Sequence, residues 1–244
     1  MYVRQVDGKT LSFVAPSTLW RNDLVMKDLE SGSLWSHHSM KCILGPSLGK
    51  TLTLHPYVMT SWGRWRRAHP NSAILDKSDP RMPHSRLKED NWEIYFKNPS
   101  LLGVVGEGNA DPRLPGKTRV LCVSLGGEQT VYVPDKMPPR GVVNDVVGGQ
   151  PILVVVEGPT SLVWSRRLAG QVITFERAGP DAVRDRESKS DWDLMTGRCI
   201  GGAHGGQQLE AVPSVTGFWF AWARHYPATR IWSEARAQSP SPSR

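Results

Sequence analysis

Apolar residues in the second half of the chain come in short runs separated by turn residues. Residues 119–125 form a Val/Leu-rich run, Gly126-Gly127 makes a tight turn, and residues 129–133 return as a partner strand. Residues 141–147, Gly148-Gly149 and residues 150–156 predict a second hairpin, with two glycines free to take positive φ. Residues 161–167 and 171–176 predict a third about Ala169-Gly170, and Trp192, Cys199-Ile200 and residues 209–212 read as further short strands. Helical spacing occurs twice, at Trp62 and Trp65 and at Phe218, Trp219 and Trp222. Thr60 or Ser61 caps the first helix, Thr216 caps the second, and Pro70 and Pro227 stop them. The pattern predicts an α+β fold, predominantly β, of short antiparallel strands, each set closed by one Trp-rich helix.

The pattern also repeats. Residues 28–70 overlay residues 185–227 at a constant separation of 157, with 16 identities in 43 positions. Among them are Asp28/Asp185, Glu30/Glu187, Ser33/Ser190, Trp35/Trp192, Cys42/Cys199, Trp62/Trp219 and Trp65/Trp222. Upstream the likeness continues at 162, where Arg4, Gly8 and Phe13 meet Arg166, Gly170 and Phe175. The change of separation places five extra residues in the first copy, around Ala15 to Arg21. About 45 residues from Thr118 onward have no partner in the first copy. The expected organisation is a first repeat over 1–75 lacking its N-terminal strands, a connector over 76–117, a second, complete repeat over 118–232 and a disordered tail over 233–244.

Composition narrows the classes. A chain of 244 residues with 39% hydrophobic and 22% charged residues can bury a core and is not a disordered polymer. No apolar run approaches the ~18 residues of a membrane span. Three cysteines make no disulfide framework. The net charge of +7 is compatible with anionic partners, but it is spread along the chain. Its densest point, Arg64, Arg66 and Arg67 between tryptophans, reads as a helix with a buried Trp face and a wet Arg face, which disfavours nucleic acid as a partner. Residues 1–9 lack the basic start and apolar stretch of a signal peptide. As written the product reads as cytoplasmic, or as extracytoplasmic if the true start lies upstream.

The polar candidates for a ligand site are Asn144, Asp145, Asp185, Glu187 and Glu30. Those repeated in both copies fit a structural role better than a site. His37, His38, Cys42 and His55 lie within 19 positions, but their spacing fits no standard zinc pattern. His37, His38 and His55 meet Leu194, Met195 and Val212 in the second copy, so they read as exposed or capping histidines. No metal and no cofactor is assigned. The stretch 103–108 is Gly-rich but lacks the phosphate-loop Lys and spacing.

Residues 28–36, Gly45-Pro46, residues 62–70, 111–115, 142–151 and 219–223 together resemble the uncharacterised prokaryotic family called domain of unknown function 3179. The resemblance covers residues 1 to about 232 and implies a duplicated architecture without supplying a reaction. It also implies a longer first copy, with its own Val-Asn-Asp-x-Val-Gly-Gly hairpin followed by a Cys-Pro-x-Cys-Gly segment. In the second copy the stretch after the hairpin, residues 156–161, has no Cys. This chain therefore reads as an N-terminally shortened member. The leading expectation is a β-rich binding or structural module of unknown ligand. The alternative is an enzyme or a metal/redox protein whose Cys-containing N-terminal part is missing, and nucleic-acid binding ranks third.

Overall fold

The computed structural model describes residues 1–74, 89–103, 111–138 and 141–233. The central sheet is antiparallel, with strands Val142–Val147, Gln150–Glu157 and Thr160–Ser165. Its middle strand is buried on both faces. Leu153 and Val155 enter the cluster around Trp192, while Ile152, Val154 and Val156 enter the cluster around Tyr132 and Trp232. The period-2 alternation of a strand explains the split, and it explains why the sequence here is an unbroken apolar run. The third expected hairpin differs. Thr160–Ser165 joins the central sheet, and only Arg167–Leu168 and Gln171–Val172 pair about Ala169-Gly170.

A second sheet runs in the order Ser214–Phe218, Arg119–Leu125, Glu128–Tyr132 and Arg230–Ile231, the last strand parallel to its neighbour. Leu121 and Val123 face the central sheet's cluster. Val120 and Cys122 face the other way, onto Trp219 and Trp222 of helix α3 (Trp219–His225). Thr216 lies within the strand before that helix and does not cap it. Phe218 occupies the cap position without a side-chain bond, because the chain passes straight from strand to helix.

Two small curled sheets complete the chain. One contains Phe13–Val14, Asp23–Asp28, Leu34–Ser36 and Cys42–Leu44. The other contains Phe175–Gly179, Ala182–Asp185, Asp191–Asp193 and Cys199–Gly201. Each is organised by a buried carboxylate. Asp28 accepts from the Ser31 amide at 2.6 Å and the Trp35 indole at 2.8 Å; Asp185 accepts from the Ser188 amide at 2.6 Å and the Trp192 indole at 2.9 Å. Gly202 closes its curl at a φ of +97°, where a β-carbon would lie 2.6 Å from Ser190 Cα. Gly45 stands in the same relation to Ser33, at 2.8 Å.

The helices cross between the halves. Ser61 caps α1 (Trp62–Ala68), as expected, through the Arg64 amide. Trp65 and Ala68 of α1 pack on the cluster around Trp192, which belongs to the far curl. Trp62 is 48% exposed, so it is not part of the core. Arg64 is not on a wet face: its Nε donates to Asp181 Oδ1 at 2.6 Å, and Glu157 lies 3.4 Å from its Nη1. In return, Trp222, His225 and Tyr226 at the end of α3 reach the first curl. A helix absent from the sequence expectation, α2 (Glu89–Lys97), follows α1 in the chain. Residues 104–108 of the Gly-rich stretch and tail residues 234–244 lie outside the described residues.

Candidate functional site

Where α3 meets the first curl, four polar side chains converge. Asp23 opens the strand Asp23–Asp28 directly after Arg21 and Asn22, both in the left-handed region with φ of 52° and 59°. Trp20 pairs with Asp23 across those two residues, a hairpin loop whose twist requires positive φ at both positions. On the adjoining strand, Leu34–Ser36 runs into His37 and His38.

The hydrogen bonds fix one oxygen of Asp23 and present the other. Oδ2 accepts from the His38 amide at 2.6 Å and from Ser36 Oγ at 3.2 Å. Oδ1 faces two imidazoles. His38 Nδ1 is hydrogen-bonded to it, and His37 Nδ1 lies 3.6 Å away. The two Nδ1 atoms are 3.5 Å apart. Tyr2 donates to the His37 carbonyl at 2.5 Å and Tyr226 to the His38 carbonyl at 3.1 Å, so both histidines are held at the main chain as well.

His225 closes the cluster from α3. Its ring stacks on His38 with centroids 5.6 Å apart and planes 15° apart, and its Nε2 lies 3.7 Å from Asp23 Oδ2. The His225 and Asp23 side chains are only 1% and 2% exposed. Trp20 meets His225 edge-on at 5.3 Å, and Arg21 covers Trp20 at 4.7 Å. His37 is the exposed member, with 35% of its side chain accessible.

The electrostatics follow from this burial. Desolvation alone would raise the Asp23 carboxyl. The hydrogen bonds from His37, His38 and the His38 amide outweigh it and hold the group well below the usual carboxylate range. Burial pushes His225 down to about 4, against the pull of Asp23, so its imidazole is neutral at pH 7. Among the described residues, neither His225 Nε2 nor His38 Nε2 has a hydrogen-bond partner. Each such nitrogen adds a desolvation cost to the cluster. His38 Nε2 faces Gly217, where a β-carbon would stand only 3.2 Å away, whereas Nδ1 is the edge of the ring that meets Asp23 and His37.

The sequence candidates fall into two groups. His37 and His38 are brought together with Asp23. His38 is 8% exposed, so it is not the surface histidine expected from the sequence. His55 is exposed and Cys42 is buried beside Trp35, both apart from the cluster. Cys42, Cys122 and Cys199 are free, with Cys42 and Cys199 in separate core clusters. Asn144 clamps the main chain of Phe175, donating to its carbonyl and accepting from its amide at 2.8 Å each. Asp145 binds Tyr132 Oη and Arg230 Nη2, both at 2.7 Å. Glu30 accepts from the Ser12 amide and Glu187 from the Thr174 amide, each at 2.9 Å. Asp185, Glu187 and Glu30 thus use their carboxylates on local backbone and indole groups. Asp23 and His225 were missed, since neither stands near a recognisable motif.

Among the described residues, no helix is long and apolar enough to cross a membrane. One family profile matches residues 1–229; its description is protein of unknown function (DUF3179). Neither a curated protein nor a solved structure matches the chain.

Proposed function

The chain belongs to that family of unknown function, and from this premise we propose that it is a duplicated β-rich binding protein. Its ligand site is the cluster of Asp23, His37, His38 and His225, formed where the C-terminal helix of one repeat lies on the curl of the other. The repeats are residues 1–75 and 118–232, joined by the connector 76–117.

One observation carries the reading. At the separation of 157, His37, His38 and His225 correspond to Leu194, Met195 and Ala68. Those three residues are apolar, and all pack in or against the cluster around Trp192. The same junction can therefore be built from hydrophobic side chains. Placing three imidazoles and a carboxylate there, all but His37 buried, costs desolvation that the side chains of Leu194, Met195 and Ala68 avoid. A residue set that is costly for folding, and confined to one of two equivalent junctions, is what a binding site looks like.

The test converts the polar junction into its apolar counterpart. The variant carries Asp23→Asn, His37→Leu, His38→Met and His225→Ala together; Asn keeps an acceptor for the His38-position amide. Urea unfolding should give a stability within about 1 kcal/mol of wild type, or higher, as with other buried polar clusters replaced by apolar residues. A loss of more than about 3 kcal/mol would show instead that the cluster holds the fold together.

A further inference from the structure

We propose that this cluster, read as a binding site, holds one divalent transition-metal cation of the borderline class, such as zinc or cobalt. Its protein ligands are Asp23 Oδ1, His37 Nδ1 and His38 Nδ1. The inference rests on the reading above and names the ligand class.

The donor set comes first. Two neutral imidazoles and one carboxylate suit zinc, cobalt, nickel or copper, whereas calcium and magnesium prefer all-oxygen sites. The geometry agrees. One ligand atom from each of the three residues lies within 4.8 Å of the others. A tetrahedral site with bonds of about 2.1 Å has ligand-to-ligand edges of about 3.4 Å. The edges from His37 Nδ1 to Asp23 Oδ1 and to His38 Nδ1 are 3.6 and 3.5 Å. The third edge is the Asp23–His38 hydrogen bond, shorter than a tetrahedral edge, and it must widen as the cation takes the place of its proton.

Preorganisation comes second. Asp23 Oδ2 is already held by Ser36 Oγ and the His38 amide, so Oδ1 turns toward the histidines. His225 stands behind the carboxylate, buried, its Nε2 without a hydrogen bond and 3.7 Å from Oδ2. That is the place of an outer partner that orients a ligating carboxylate. Three protein ligands leave a fourth position, on the side where His37 is exposed.

The experiment uses the full chain freed of metal with a chelator and titrated with cobalt(II) chloride, followed by visible absorption, and with zinc chloride by calorimetry. One cation per chain should bind, with ligand-field bands of a four-coordinate site. His38→Ala and Asp23→Asn should each weaken binding by more than about 100-fold, and His225→Ala by about 10–100-fold, the effect of an outer partner. His55→Ala and Cys42→Ser should bind as wild type. The proposal fails if wild type binds no stoichiometric cation, or if His38→Ala binds as tightly as wild type. The four-site variant separates the two readings. If it folds as stably as wild type while wild type binds neither metal, the metal assignment falls and the binding site stands. If it unfolds, the site reading itself falls.

Discussion

The indole of Trp35 donates to Asp28 Oδ2 at 2.8 Å, and both residues are 0% exposed. A buried carboxylate needs every donor it can reach, so the ring acts as more than filler. Trp35→Phe keeps most of the volume and removes the donor. It should cost about 1–3 kcal/mol, the desolvation of an unsatisfied polar group. Trp35→Ala adds a cavity and should cost about 3–5 kcal/mol. Urea midpoints of the two variants check both values, and Trp192→Phe should behave like Trp35→Phe.

The same carboxylates make stability depend on acid. Burial by itself would raise Asp28 and Asp185, but the Trp and Ser hydrogen bonds win and hold both below the usual carboxylate value. A folded value below the unfolded one contributes stability that is complete above the unfolded value, near 3.9. That contribution is lost as pH falls through the folded value. Urea midpoints should therefore change little on account of these groups between about pH 7 and 5, and fall below about pH 4. A double variant, Asp28→Asn with Asp185→Asn, should be less stable at pH 7 and show a shallower acid slope.

Two glycines separate fold from site. A β-carbon at Gly217 would touch only His38, at 3.2 Å from Nε2, and the residue has no positive φ. Gly217→Ala should leave stability within about 1 kcal/mol while displacing His38, seen as weaker cobalt binding. A β-carbon at Gly202 would meet Ser190 Cα at 2.6 Å from a φ of +97°. Gly202→Ala should cost more than about 2 kcal/mol by thermal or urea unfolding.

The arginines of α1 divide likewise. Arg64 is 11% exposed at its side chain and bonds Asp181, Glu157 and the Pro180 carbonyl. Its partners are partly solvated, so Arg64→Ala should cost about 1–2 kcal/mol. Arg66→Ala with Arg67→Ala should stay within about 0.5 kcal/mol of wild type in the same denaturation assay.

Much of the β framework was legible because local signals dictate it. Gly126-Gly127, Gly148-Gly149 and Ala169-Gly170 turn their hairpins as expected, and Asp7-Gly8 turns another short one. The candidate site was legible only as two adjacent histidines. His225 lies far from His38 in sequence and reaches it only because α3 crosses to the other curl. No periodicity reports such a crossing. The signal available was a mismatch: His37, His38 and His225 stand opposite Leu194, Met195 and Ala68. Residues shared by the two halves, such as Glu30 and Glu187, proved to bind local backbone amides.

The crossed helices create two junctions, one where Ala68 joins the apolar cluster containing Met195 beside the Arg64–Asp181 ion pair, one where His225 stacks on His38. Two identical chains clasped in this way would have to make both junctions alike, since every substitution would appear twice. On the proposed duplication, linkage within one polypeptide lifts that constraint, so one clasp can specialise while the other holds the fold.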